Sequence, residues 1–346
     1  IRSNCCHSIM NAPPIFLKMQ FEDEDFFKHR KLARSCWFLT GATAGGKSEI
    51  SDRVANQLSK AKRDVEIISM DSMAIYRDMN IGTAKPNDEI RKRIPHHMID
   101  ILAPTDDFSV SDYCRQSLKL ASEIKASGKE VLFVGGTALY LKTLLRGAFE
   151  GPPADWEFRN AVLEEIKSTG QEVLHQRLQY VDPLSAHKFH PNDTRRILRA
   201  LEVYKITGQP ISHLQTQFEI ETPAEDNNVF AIRWPRETLH QRIDDRVESM
   251  FDEGFVDEVK GLVANHGELG KTASQAVGYQ EVLEHLDTGS EINRVMELVK
   301  NRTHQFARHQ ETWFRGLTEV TWIDRKIDDS IDDIVNQIIS HTDQQN

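Results

Sequence analysis

An apolar run, Cys36-Trp37-Phe38-Leu39-Thr40, leads straight into Gly41-Ala42-Thr43-Ala44-Gly45-Gly46-Lys47-Ser48, and a helix-like segment, Glu49 to Leu58, follows at once. No other stretch so narrows the folds available. Glycine, four residues, glycine, lysine and serine between a strand and a helix make a phosphate-binding loop. The glycines let the backbone wrap an anion, successive N–H groups and the helix N-terminus face it, Lys47 adds charge, and the Ser48 hydroxyl suits Mg²⁺. Two more strand-like runs end in the same manner: Val65 to Ser69 runs into Met70-Asp71-Ser72, and Glu130 to Val134 into Gly135-Gly136-Thr137. Strands alternating with helices predict an α/β fold, a phosphate-loop core with a parallel sheet flanked by helices. In such sheets ligands gather beyond the carboxyl ends of the strands, so Ser48, Asp71 and Thr137 are expected around one cleft. Asp71 is there either a base, a magnesium partner or a turn cap.

Length and charge bound the rest. A chain of 346 residues is about two domains' worth. Its net charge of −10 supplies no global field for nucleic acid, so any such site must be a local basic patch. No run approaches the 18 apolar residues of a membrane span, and no membrane association is expected. Four cysteines without metal-ligand spacing point to a reducing, cytoplasmic setting. The histidines do not form a metal site: His304 and His309 are five apart and His96-His97 adjacent. Residues 1–35, with Cys5, Cys6, Pro13-Pro14 and the acidic run Glu22 to Asp25, read as a poorly ordered extension fitting neither a secretory nor a mitochondrial leader.

From Pro152 to about Phe218 the alternation gives way to helical patterns alone, so residues 152–218 read as an inserted all-helical subdomain within a core of 36–151 and 219–346. Between His187 and Lys205 the formal charge is +3, with Arg195, Arg196 and Arg199 on one edge of a helix that Asp193 caps. This patch suits phosphate contacts, although a merely solvated basic helix gives the same pattern. In Glu237 to Glu253, Leu239, Ile243, Val247 and Met250 mark an amphipathic helix. Arg242 is expected to pair with Asp245, whereas Arg246 has no acid three or four residues away, which an external anion or a tertiary ion pair would explain. Along Glu291 to Arg315, Val295, Val299, Phe306 and Trp313 are expected in the core.

A series of segments resembles the tRNA dimethylallyltransferase (isopentenyltransferase) family, in its bacterial form. They are the glycine loop, Asp71-Ser72-Met73-Ala74-Ile75-Tyr76-Arg77, Ile81-Gly82-Thr83-Ala84-Lys85-Pro86, Pro95-His96-His97-Met98-Ile99-Asp100, Gly135 to Tyr140, His190-Pro191-Asn192-Asp193, and Gln310-Glu311-Thr312-Trp313-Phe314-Arg315. They stand in the family's order over about residues 36 to 325. The resemblance implies transfer of a dimethylallyl group from dimethylallyl diphosphate to the exocyclic N6 amine of the adenosine 3′ of the anticodon, with Mg²⁺ as cofactor. It implies that Gly41, Ala42, Thr43, Ala44, Gly45, Gly46, Lys47, Ser48 and Arg246 bind the diphosphate. Asp71 would accept the amine proton, Lys47 and Arg246 would stabilise the leaving group, and Ser48 would hold the metal. It further implies that Asp71, Ser72, Met73, Ala74, Thr137, Arg159, Arg195, Arg196, Arg199, Gln275 and Gln280 contact the tRNA anticodon stem-loop, and that a base flips out to react. A monomer is expected. Ala42, Ala74, Gln275 and Gln280 depart from the usual pattern, the glutamines standing where arginine or lysine is common. Two alternatives share the loop: a prenyltransferase of free adenine nucleotides and a small-molecule kinase using ATP.

Overall fold

The computed structural model describes residues 23–147, 151–215 and 221–343. The chain divides into two compact units, residues 147–220 and residues 27–146 with 221–346. In the larger, α1 (Asp23–Arg34) precedes β1 (Trp37–Gly41), α2 (Lys47–Lys60), β2 (Val65–Ser69), α3 (Asp88–Arg93), the two-residue β3 (His96–His97), α4 (Val110–Ala126), β4 (Glu130–Val134) and α5 (Ala138–Arg146). The smaller unit contributes α6 (Trp156–Thr169), α7 (Gln171–Val181), α8 (Pro183–Lys188), α9 (Thr194–Thr207) and α10 (Ile211–Leu214). The chain then returns through β5 (Val229–Arg233), α11 (Arg236–Asp252), α12 (Phe255–His266), α13 (Tyr279–Thr288), α14 (Ile292–Arg315), β6 (Thr321–Asp324) and α15 (Ile331–Asp343).

All six strands are parallel, in the order β3-β2-β4-β1-β5-β6. Every residue of β1 is buried, as a strand covered by helices on both faces requires. Register decides where the site lies: Leu39 of β1 and Ser69 of β2 both pair with Val134 of β4. The residues at the ends of these strands, Gly41-Ala42, Met70-Asp71 and Gly135-Gly136, therefore leave the sheet side by side. Gly135 makes this closeness possible, because a Cβ there would lie 2.2 Å from the Met70 carbonyl oxygen.

The ordered chain starts earlier than position 36. Helix α1 begins at Asp23, and its last turn carries Lys31 and Arg34, cations that complement the helix dipole. Ala33 and Cys36 are buried and the Cys36 thiol donates to the Leu32 carbonyl, so α1 belongs with the core rather than to a loose extension. Cys5, Cys6 and Pro13-Pro14 lie outside the described residues. Strands β5 and β6 carry too little alternation to stand out in the sequence; β5 is almost wholly buried beside β1, and β6 is defined by its pairing with β5.

On α14 the core stripe is Val295, Val299, Ala307, Gln310 and Phe314. Phe306 and Trp313, expected inside, are 43% and 37% exposed. Each sits one residue before a member of the stripe, about 100° round the helix, and the small or polar Ala307 and Gln310 take the inward places. A buried ion pair ties α5 to the segment before β6: Arg146 Nε and Nη2 donate to Glu319 Oε1 and Oε2 at 2.7 and 2.8 Å. No helix among the described residues is long and apolar enough to cross a membrane.

The smaller unit has its own core, in which Val162, Leu174, Leu178, Ile197, Leu201 and Val203 pack together. Its expected span, 152–218, falls within it, and the part of that span beyond residue 215 lies outside the described residues.

Candidate active site

The glycine loop leaves β1 at Gly41, whose φ of +135° and lack of Cβ allow the Ile232 carbonyl to approach; a Cβ would be 2.6 Å from that oxygen. Gly46 enters α2 as its N-cap in the left-handed region, φ +86°. The loop's outward carbonyls are held from behind: the Trp234 indole Nε1 donates to the Gly45 carbonyl at 3.0 Å and Arg242 Nε to the Ala44 carbonyl at 2.8 Å. The Arg242 and Arg325 guanidinium carbons lie 4.8 and 4.3 Å from the Trp234 ring centroid. The expected Arg242–Asp245 pair is thus not made; Gln241 donates to Asp245 instead. Arg242 has a better partner in the loop, a contact that helix spacing does not reveal. Arg246, one turn on, donates through Nη1 to Thr43 Oγ1 at 3.2 Å. With no acid three or four residues away on its helix, Arg246 thus turns toward the glycine loop rather than to an ion pair along α11.

Lys47 folds beneath the loop, its Nζ donating to the Gly41 and Ala42 carbonyls at 3.0 and 2.8 Å. Burial and the neighbouring Arg246 charge pull its pKa down to about 8, with Asp71 opposing them. The fall is in the neutralising direction, so the free enzyme loses this positive charge as pH rises through that value. Accordingly kcat/KM for a diphosphate donor is expected to drop about tenfold per pH unit above about pH 8, while kcat at saturation holds, because a bound anion favours charged lysine. Steady-state profiles through the alkaline range check this, and a level kcat/KM would contradict it.

Across the sheet end, Asp71 uses Oδ1 to accept the Met73 and Ala74 N–H groups at 2.8 and 3.4 Å. The turn-capping role foreseen as an alternative is therefore real, but it occupies one oxygen. Oδ2 accepts no hydrogen bond among the described residues. Thr137 Oγ1 accepts the Ser72 N–H at 3.1 Å, joining the loop after β4 to the segment after β2. The Asp71 charge favours the charged forms of both Lys47 and Arg246, so the three groups lie within electrostatic reach of one another. Ala74 is buried and offers backbone only, whereas Met73 and Ser72 remain partly exposed.

Sequence reasoning missed a latch below this site. Glu258 accepts the Asn80 and Ile81 N–H groups at 2.8 and 2.7 Å and the Tyr279 hydroxyl at 2.6 Å. It fixes the Ile81-to-Lys85 segment against the Tyr279 ring, where a Cβ on Gly82 would come within 2.4 Å.

The remaining candidates divide into two kinds. Arg159 is bidentate to Glu202 through Nε and Nη2 at 2.7 and 2.8 Å, and Arg199 Nη1 donates at 2.5 Å to Oε2, the oxygen that Arg159 Nη2 also uses. Glu202 is fully buried, so these arginines neutralise an internal charge of the helical unit, a pairing the sequence tally of charges could not show. Arg195 and Arg196 are exposed on the first turn of α9, Arg196 beside Asp193 at 3.4 Å. Gln280 links α13 to α14 by accepting Arg302 Nη1 at 2.7 Å and donating to Glu284 at 3.0 Å; Gln275 is exposed. His304 meets Asp244 at 2.9 Å and stacks on His240, and the described residues hold no cluster of three metal-ligating side chains.

Known proteins resemble this chain. The family model described as IPP transferase matches residues 74–317. A tRNA dimethylallyltransferase of Rhodopirellula baltica is 44% identical over 315 residues, covering 88% of this chain and 94% of that protein. One from Geobacter sulfurreducens is 40% identical over 286 residues, covering 83% and 90%. Among solved structures, the full-length tRNA isopentenylpyrophosphate transferase of Bacillus halodurans superposes with a TM-score of 0.63 at 33% identity, covering 90% of this chain and 98% of its own. A eukaryotic dimethylallyltransferase acting on tRNA gives 0.66 at 27% identity, covering 84% and 73%. With a phosphate loop, an opposed aspartate and likeness running through nearly the whole chain, the protein belongs to the IPP transferase family.

Proposed function

We infer that this protein transfers a dimethylallyl group from dimethylallyl diphosphate to the N6 amine of the adenosine 3′ of the anticodon in tRNA, releasing diphosphate. The observation that carries this reading is geometric: Arg246 bonds Thr43 and Lys47 bonds Gly41 and Ala42 of the glycine loop, with the Asp71 charge acting on both, on a chain of this family. It sets a proton acceptor against an anion-binding loop. As the allylic C–O bond breaks, its electron pair leaves with the diphosphate. The loop N–H groups, Lys47 and Arg246 stabilise that growing charge where it appears. The adenine nitrogen forms the new C–N bond and its proton passes to Asp71 Oδ2, the oxygen that the turn does not use.

Mg²⁺ fits the site at Ser48, whose exposed hydroxyl lies in the first turn of α2 and makes no hydrogen bond among the described residues. When bound, the ion would neutralise diphosphate charge, with phosphate oxygens and water completing its shell. Arg195 and Arg196 are the arginines of α9 best exposed to meet tRNA phosphates, and Ser72, Met73 and Thr137, beside Asp71 in the larger unit, would meet the reacting base. Gln275 and Gln280, uncharged, would make that contact less salt-dependent. The enzyme is proposed to act as a monomer in the cytoplasm.

Labelled dimethylallyl diphosphate with Mg²⁺ should label unmodified tRNA and leave AMP, ADP and ATP unlabelled. Label in the nucleotides alone would replace this reading with a nucleotide prenyltransferase. ATP consumption without label in either would replace it with a kinase.

A further inference from the structure

Gln310 lies on α14, 7% exposed, at the point where the loops after β1 and β4 pass each other. Its side-chain amide has one acceptor and one donor in use. Oε1 accepts the Thr43 N–H at 2.9 Å, and Nε2 donates to the Gly136 carbonyl at 2.8 Å. Gly136 is shaped to receive it, since a Cβ there would stand 2.4 Å from Nε2. A buried bridge between an N–H and a C=O needs a residue that offers both polarities on one rigid plane. Asn is too short by a methylene, a carboxylate cannot donate, and lysine cannot accept.

The two ends of this bridge have different duties in the proposed reaction. Thr43 belongs to the glycine loop, and its hydroxyl accepts Arg246, so that end is attached to the diphosphate side. Gly136 precedes Thr137, whose hydroxyl holds the Ser72 N–H beside Asp71, so the other end is attached to the amine side. We propose that Gln310 is a positioning residue that sets the spacing between the leaving-group loop and the Asp71 side of the site, so that donor carbon, amine and base line up. It acts through Thr43 and Gly136 and touches neither substrate. The inference rests on the transferase reading above.

Positioning of this kind shows in kcat: misplacing reacting groups by about 1 Å costs up to about a hundredfold in rate while each substrate still binds. The informative substitution is Gln310→Glu in the full-length enzyme, assayed with dimethylallyl diphosphate and unmodified tRNA. An ionised glutamate keeps the acceptor for Thr43 but turns a lone pair toward the Gly136 carbonyl; a protonated one restores the donor. Burial and the facing carbonyl favour protonation. At about pH 8 kcat is expected to fall roughly tenfold to a hundredfold, with KM for each substrate within about threefold of wild type. The ratio of variant to wild-type kcat should then rise as pH is lowered toward about 6, because only the protonated acid rebuilds the bridge. Gly136→Ala, which displaces Nε2 from the other side, should lower kcat in the same way without that pH recovery.

An unchanged kcat per folded enzyme in both variants, with only thermal stability reduced, would overturn the proposal. So would a rise in donor KM that saturation corrects, which would make Gln310 a brace of the glycine loop alone. Absence of transfer by the wild-type enzyme would instead sink the transferase reading and the inference with it.

Discussion

Asp71→Asn is expected to lower kcat by about 10² to 10⁴, the usual worth of a positioned general base, while tRNA binding stays close to wild type. Asparagine is the telling replacement because the carboxylate has two jobs. Oδ1 closes the turn through the Met73 and Ala74 N–H groups, and an amide oxygen can do that as well. Only the second oxygen, which accepts nothing among the described residues, is turned into a group that cannot take a proton. Asp71→Ala would remove both functions and mix a loosened turn with lost chemistry. Single-turnover transfer together with tRNA filter binding reads the two effects apart. A rate near that of wild type in the asparagine variant would remove the base assignment. A normal rate constant with weakened tRNA binding would recast Asp71 as a tRNA contact.

The largest effect on stability is expected at Arg146, far from that chemistry in its purpose. Its guanidinium meets both oxygens of Glu319, and the two side chains are 3% and 1% exposed; Nη1 also reaches Glu221 at 3.1 Å. Its hydrogen bonds to Glu319 hold the guanidinium's pKa above its usual value, the mark of a charge that its partner needs. Arg146→Met leaves Glu319 buried without the guanidinium that is bidentate to it, which costs about 3–5 kcal/mol. Adding Glu319→Leu should recover most of that loss, since two apolar groups leave nothing unpaired. Urea unfolding of the single and double variants tests this. Equal stability of single variant and wild type would mean that the carboxylate escapes to solvent or takes up a proton at little cost.

How much of the site was legible depended on how local its causes are. The glycine loop could be read because contiguous residues create it: glycines permit its backbone path, and Lys47 and Ser48 follow within the first helical turn. Asp71 and Gly135-Gly136-Thr137 could be read as strand ends because an apolar run stops where they begin. Arg246 stood out because no acid lies three or four residues from it along its helix. Arg242, one turn earlier, gave the opposite impression, since Asp245 stood at a suitable spacing and a carbonyl of the glycine loop won instead. Phe306 and Trp313 misled for a similar reason. Hydrophobicity ranks them inward, but the helix phase set by Val299, Ala307 and Phe314 places them outside.

From the sequence by itself came the α/β class, the phosphate loop, the aspartate opposite it, the helical insertion and the family resemblance. Each is written in neighbouring residues or in a helical or strand period. Only the tertiary structure decided which side chains hold those pieces in place. Gln310 reaches Thr43 across 267 positions and Trp234 reaches Gly45 across 189. Glu202 consumes Arg159 and Arg199 on other turns of the same helical unit. Such partners share no periodicity with the groups they bind. A buried amide or carboxylate takes whichever donors the packing of distant elements brings within hydrogen-bond reach, and strand order and register determine which those are.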